Sequence, residues 1–93
     1  MNEKFTWDEN KHQANIKKHG VTFTDAATVF DDNDAVYLND DSHSFDEERF
    51  IVIGFSASAN LLMVCHCYKD DDALIRIISA RQANTNEIKL YQG

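Results

Sequence analysis

The chain has 93 residues, of which 43% are hydrophobic and 11% aromatic, enough for one core but too few for two. Three Gly and no Pro exclude collagen-like and linker-rich classes. No apolar run approaches the length of a membrane span, and the start Met1-Asn2-Glu3-Lys4 lacks a signal-peptide stretch. The expectation is one cytoplasmic domain over residues 1–93.

The net charge of −7 combines 16 acids with 9 Lys and Arg, and it is unevenly spread. Eight acids fall between Asp31 and Glu48, a stretch without Lys or Arg, so the rest of the chain is close to neutral. A polyanion would be repelled by the whole and would need a local cluster of bases. The acidic block reads as a solvated loop, with a docking surface for a basic partner as the alternative.

Phe5-Thr6-Trp7 is a short apolar start. Asp8 can cap a helix over Glu9–His19 that stops at Gly20. Its apolar stripe, Ala14 and Ile16, is thin, which predicts a surface helix. Thr22 can cap a second helix through Phe23, Ala26, Ala27 and Phe30, ended by Asp31-Asp32-Asn33-Asp34. Strands are predicted at Ala35–Leu38, Arg49–Phe55, Leu61–Tyr68 and Ala73–Ser79, with turns at Ser56–Asn60 and Asp70–Asp72. Asn84 and Glu87 form a capping-box pattern before a last helix through Tyr91. The expected architecture is α+β: two N-terminal helices, a three- to four-stranded antiparallel sheet and a C-terminal helix, with helices on one sheet face.

Strand alternation places Leu62, Val64, His66 and Tyr68 on one face and Leu61, Met63, Cys65 and Cys67 on the other. Cys65 and Cys67 therefore suit neither a disulfide nor, with His66 turned away, a zinc site. His12 and His19 lie about 10 Å apart along their helix, too far to share an ion, and no calcium-loop or Gly-rich phosphate pattern occurs. No metal site or cofactor is expected.

What remains is a set of bases on strands. Arg76 stands among Leu74, Ile75, Ile77 and Ile78, so it either pairs, with Glu47, Glu48 or Asp71, or opens onto a cleft. If neighbouring strands gather Arg49, His66, Arg76 and Arg81 in one groove, the patch suits metal-free RNA cleavage. There the 2′-hydroxyl attacks the adjacent phosphorus and the site supplies proton transfer and cations for the phosphorane. An imidazole can serve either proton role, guanidinium forks match phosphate oxygens, and Tyr68 or Tyr91 could stack on a base. A simple anion-binding groove would use the same residues.

Phe5-x-Trp7-Asp8, Lys18-His19-Gly20-x-x-Phe23-x-x-Ala26, Val29-Phe30-Asp31-Asp32, Glu48-Arg49 and Arg76-Ile77-Ile78-Ser79-Ala80-Arg81-x-Ala83, with Glu87 and Tyr91, resemble the BrnT family of type II toxins nearly end to end. The resemblance implies a RelE-like fold, a ribonuclease activity that blocks translation, and a complex with a BrnA antitoxin through which alone operator DNA is reached. It implies His66, Arg49, Arg76 and Arg81 as the active-site set, with Lys18, His19 and Tyr91 as RNA contacts beside the Tyr68 suggested by stacking chemistry. The chain departs from the family in a last helix with only Lys89 as base and in thiols flanking His66, which would make the site sensitive to oxidation. A non-catalytic module that docks an antitoxin, or another basic regulator, is the competing expectation, motivated by the acidic block.

Overall fold

A computed structural model describes residues 4–40 and 48–93. Asp41, Asp46 and Glu47 of the acidic block lie outside the described residues, as does the suggested Arg76–Glu47 pair. The elements run β1 (Phe5–Thr6), α1 (Glu9–His19), α2 (Phe23–Ala27), a 3-10 turn (Thr28–Asp31), β2 (Val36–Asp40), β3 (Arg49–Phe55), β4 (Leu61–Lys69), β5 (Leu74–Gln82) and α3 (Thr85–Gln92). The strands form one sheet in the order β1-β5-β4-β3-β2.

The α+β class and the three helices agree with the sequence reading, but the sheet is larger and mixed. Phe5 and Thr6 pair in parallel with Ile75 and Arg76, which adds a fifth strand and makes the sheet not wholly antiparallel. A two-residue strand is too short to show alternation, so its signal in the sequence is only the apolar Phe5. Once placed, Phe5 is buried and meets Phe30 at 5.2 Å between ring centroids.

Helix boundaries follow their caps. Asp8 accepts from the backbone N–H groups of Asn10 at 2.8 Å and Lys11 at 3.2 Å. At the other end Gly20 turns left-handed at φ 70°, a conformation that costs an L side chain free energy. Thr22 caps α2 through the Asp25 N–H. At α3 Asn84 and Glu87 each accept from the other's backbone N–H, the reciprocal arrangement read from the sequence.

One sheet face, called here the first face, supplies Val52, Leu62, Val64, Ile75, Ile77 and Ala80 to the core against Phe23, Ala26 and Val29. Gly54 lies where the 3-10 turn crosses β3. A Cβ there would come within 3.0 Å of Val29 Cγ1 and 3.1 Å of Asp32 Oδ2, so a larger residue would require these side chains to give way. Asp32 ties the same corner together. Its Oδ2 accepts from the Phe55 N–H at 2.8 Å and the Tyr91 hydroxyl at 2.7 Å, and its Oδ1 accepts from the Asp34 N–H.

α1 is fastened by a polar side chain. Asn15 is buried; its Nδ2 donates to Ala80 O at 2.8 Å and Val21 O at 2.9 Å, while its Oδ1 accepts from Ala80 N at 3.0 Å. β1 pairs only with Ile75 and Arg76, so farther along β5 the edge would be unpaired. The Asn15 amide imitates a strand there and satisfies it. No helix of the described residues is long and apolar enough to cross a membrane.

Replacing Asn15 with Leu keeps the volume but leaves Ala80 N–H, Ala80 C=O and Val21 C=O buried without partners. The expected loss is about 3 kcal/mol of unfolding free energy, measured by urea denaturation at unchanged m-value. A loss below about 0.5 kcal/mol would show that the clasp is not what holds α1 to the sheet.

Candidate active site

The register of the sheet decides which candidate residues can meet. Phe50 faces His66 and Val52 faces Val64 across β3 and β4; His66 in turn faces Ile77 across β5. Val52, Val64 and Ile77 belong to the core, so His66 points into the first face. Cys67 faces Arg76, and continuing the β3–β4 register by one residue sets Arg49 opposite Cys67. Arg49 and Arg76 thus flank Cys67 on the second face, their backbones about 10 Å apart across one intervening strand. The four bases expected in one groove are divided between two sides of the sheet.

His66 is 0% exposed. The rings of Phe30, Tyr68, Phe50 and Tyr37 surround it at 4.8, 5.4, 6.1 and 6.5 Å between centroids. Nδ1 lies 3.3 Å from Val64 O, and Nε2 is buried without a hydrogen-bond partner among the described residues. Burial pushes its pKa down to about 4, against a smaller opposing effect of the Val64 carbonyl. At neutral pH it is an uncharged ring in an aromatic layer, closed to RNA in this structure.

Arg81 faces Met63 on the second face but is held by a carboxylate. Its Nη1 and Nη2 donate to Glu87 Oε1 and Oε2 at 2.8 and 2.9 Å. Burial raises the Glu87 pKa, but the Arg81 fork and the Asn84 N–H outweigh it and hold the carboxyl below its usual range. Arg81 therefore fastens α3 to β5, and the spacing from Arg81 to Glu87 is the geometry of that bidentate pair.

Arg49 and Arg76 are different. Both are half-buried, and among the described residues no ion pair engages either one. The partners suggested for Arg76 among those residues, Glu48 and Asp71, do not take it. Arg49 Nε is buried without a hydrogen-bond partner there.

Tyr68 lines a cavity of about 440 Å³ with Glu48, Phe50, Lys69 and Asp72. Phe50 and Tyr68 stand on the first face, where Tyr68 faces Ile75, so the ring walls of this cavity lie across the sheet from Arg49 and Arg76. Tyr91 is elsewhere. Its hydroxyl is bound to Asp32, which pushes its pKa up to about 12, and its ring meets Phe55 at 5.4 Å. Lys18 and His19 line a separate groove between α1 and β5.

Cys65 and Cys67 are both buried and neither is in a disulfide. Burial, then the Asp40 carboxylate, pushes Cys65 up to about 11, so it stays a protonated thiol, which opposes the oxidation sensitivity expected from the sequence. Among the described residues, no group of three or more His, Cys, Asp or Glu side chains is placed to hold a metal ion.

The fold and this surface define a small helix-backed sheet domain that presents an arginine pair on its second face. Residues 7–87 match the family described as the ribonuclease toxin, BrnT, of type II toxin-antitoxin systems, and the chain belongs to that family. The crystal structure of the Brucella abortus ribonuclease toxin BrnT is similar, with a TM-score of 0.68 and 26% identity, covering 90% of this chain and all of that one. No curated protein sequence matches significantly. A toxin of a type II system has a protein antitoxin as its partner.

The lowered pKa of His66 has a consequence for stability. The unfolded imidazole, with a pKa near 6.5, binds protons that the folded one refuses, so stability falls as pH drops from about 6.5 and levels off below about 4. The full loss is about 3 kcal/mol. His66→Phe should remove that component and stay within about 1 kcal/mol of wild type at neutral pH, as read from urea midpoints across the range. Parallel pH curves for the two proteins would refute the buried neutral assignment.

Proposed function

We propose that this toxin is a metal-independent endoribonuclease that acts in the cytoplasm, cleaves RNA to inhibit translation, and is neutralised by a BrnA-type antitoxin that carries the DNA-binding part of the complex. Family membership supports the ribonuclease reading. The observation that carries the site is the Arg49–Cys67–Arg76 row, two guanidinium groups on one face with no ion pair among the described residues.

RNA cleavage by its own 2′-hydroxyl puts extra negative charge on the phosphorus oxygens in the transition state, and two guanidinium groups on one face can stabilise that charge where it develops. They supply the positive field a metal ion would otherwise bring. Tyr68 and Phe50, 5.3 Å apart between centroids, belong to the first face with His66, so they lie across the sheet from the arginine pair and do not adjoin the cleaved phosphate. Arg81 is left a positioning role through Glu87, and His66 a packing role.

Purified protein in EDTA is expected to cleave RNA. Arg49→Ala or Arg76→Ala should each lower the rate about a hundredfold, whereas Arg81→Ala and His66→Phe should lower it less than about fivefold. Equal rates for all variants would refute the arginine pair as the site. A folded wild-type chain that neither cleaves RNA nor arrests growth when induced would favour the non-catalytic docking module.

A further inference from the structure

A groove of about 230 Å³ runs between α1 and β5, lined by Lys11, Lys18 and His19 on one side and Ile78 and Ser79 on the other, with Asn15 below. No carboxylate lines it. Lys11 and Lys18 are seven residues apart on α1, hence on one stripe about 10 Å long. Both are exposed, and no ion pair among the described residues engages them or His19.

Ordinary helix electrostatics explains only part of this. Cations in the last turn, here Lys17, Lys18 and His19, complement the negative end of the helix dipole. Lys11 sits in the first turn beside the Asp8 cap, where a cation is disfavoured. Asn15 has committed both its donors and its acceptor to Ala80 and Val21, so the charge of the groove comes from its walls.

One wall of the groove shares a strand face with Arg76. Ser79 faces Cys65 while Ile77 faces His66, so Ile78 is an extra residue in β5, a bulge of the kind that re-aims side chains near functional sites. It lets Ser79 stand on the second face, with Arg76, and still line the groove. Two ammonium groups, an imidazole and a hydroxyl, without an acid among them, are suited to phosphodiester oxygens. Asp31, Asp34 and Asp70–Asp72 sit on other elements, and the two acids at the start of α1 have other partners: Asp8 caps the Asn10 and Lys11 N–H groups, and Glu9 takes Gln13 and His12.

We propose that this groove is a second phosphate subsite, which holds the RNA backbone independently of sequence while Arg49 and Arg76 engage the cleaved phosphate. The inference rests on the ribonuclease reading above, and it assigns Lys11, which no motif singled out, a place beside Lys18 and His19.

The test uses the full chain and a short oligouridine with 2′-O-methyl riboses, which cannot be cleaved, titrated over a range of salt concentrations by fluorescence anisotropy. Each lost lysine–phosphate contact should make the slope of log affinity against log salt shallower by about 0.7. Lys11→Gln/Lys18→Gln should therefore flatten it by about 1.4. Lys17→Gln/Lys89→Gln, with the same change in net charge but neither lysine in the groove, should leave it unchanged. Equal slopes for both double variants, whether both flattened or both unaltered, would overturn the groove, and if the wild type still cleaves RNA the ribonuclease reading survives that result. A wild type that neither binds the oligouridine nor cleaves RNA would remove both.

Discussion

The hydrogen bonds between Asn15 and Ala80, 65 residues apart in sequence, are the constraint from which the working surface follows. β5 is wider than its partner β1, and beyond Arg76 its outer edge needs donors and acceptors that no strand supplies. A side-chain amide provides both, so α1 lies along the strand edge instead of standing off on a thin apolar stripe. That placement brings a lysine-bearing helix beside the bulge at Ile78. A larger side chain at Ala80, which is fully buried, would push the amide away.

The second organising feature is the separation of chemistries by sheet face. The first face is apolar and aromatic, and it treats His66 as a ring, stripped of charge by burial. The second face carries Arg49 and Arg76, both half-buried, while α3, anchored through Arg81–Glu87 and Tyr91–Asp32, closes one end. A net acidic protein can still hold RNA on such a surface, because screening at physiological salt limits each charge to about 8 Å. One acid does stand on this surface, since Asp40 faces Arg49 across β2 and β3, so the local arrangement of charge matters more than the total of −7.

Most of the architecture was readable because local chemistry announced it. Asp8, Gly20, Thr22, Asn84 and Glu87 mark their helix ends through backbone groups only a few residues away, and apolar alternation marks the three long strands. The parallel strand Phe5–Thr6 was not readable, since its partner is distant and two residues show no period. Nor was the role of Asn15, although a polar residue at the centre of a helix's inward stripe is a signal that a buried hydrogen bond awaits it. For the site, alternation correctly separated His66 from Cys65 and Cys67, and the same rule sets His66 apart from Arg76 once the register is known. The expectation of convergence failed because register across strands, and the bulge within β5, are set by tertiary pairing. The pairing of Arg81 with Glu87 of α3 was hidden for a related reason: Glu87 also reads as half of a capping box.

The central claim is that RNA is engaged by the arginine pair of the second face. Nitrogen–proton correlation spectra of the arginine Nε–H groups, recorded while the uncleavable oligouridine is added, test it directly. The account predicts shifts for Arg49 and Arg76, with Arg81 unmoved in its pair with Glu87. Shifts at Arg81 and in the aromatic ring resonances around His66, with Arg49 and Arg76 silent, would contradict it.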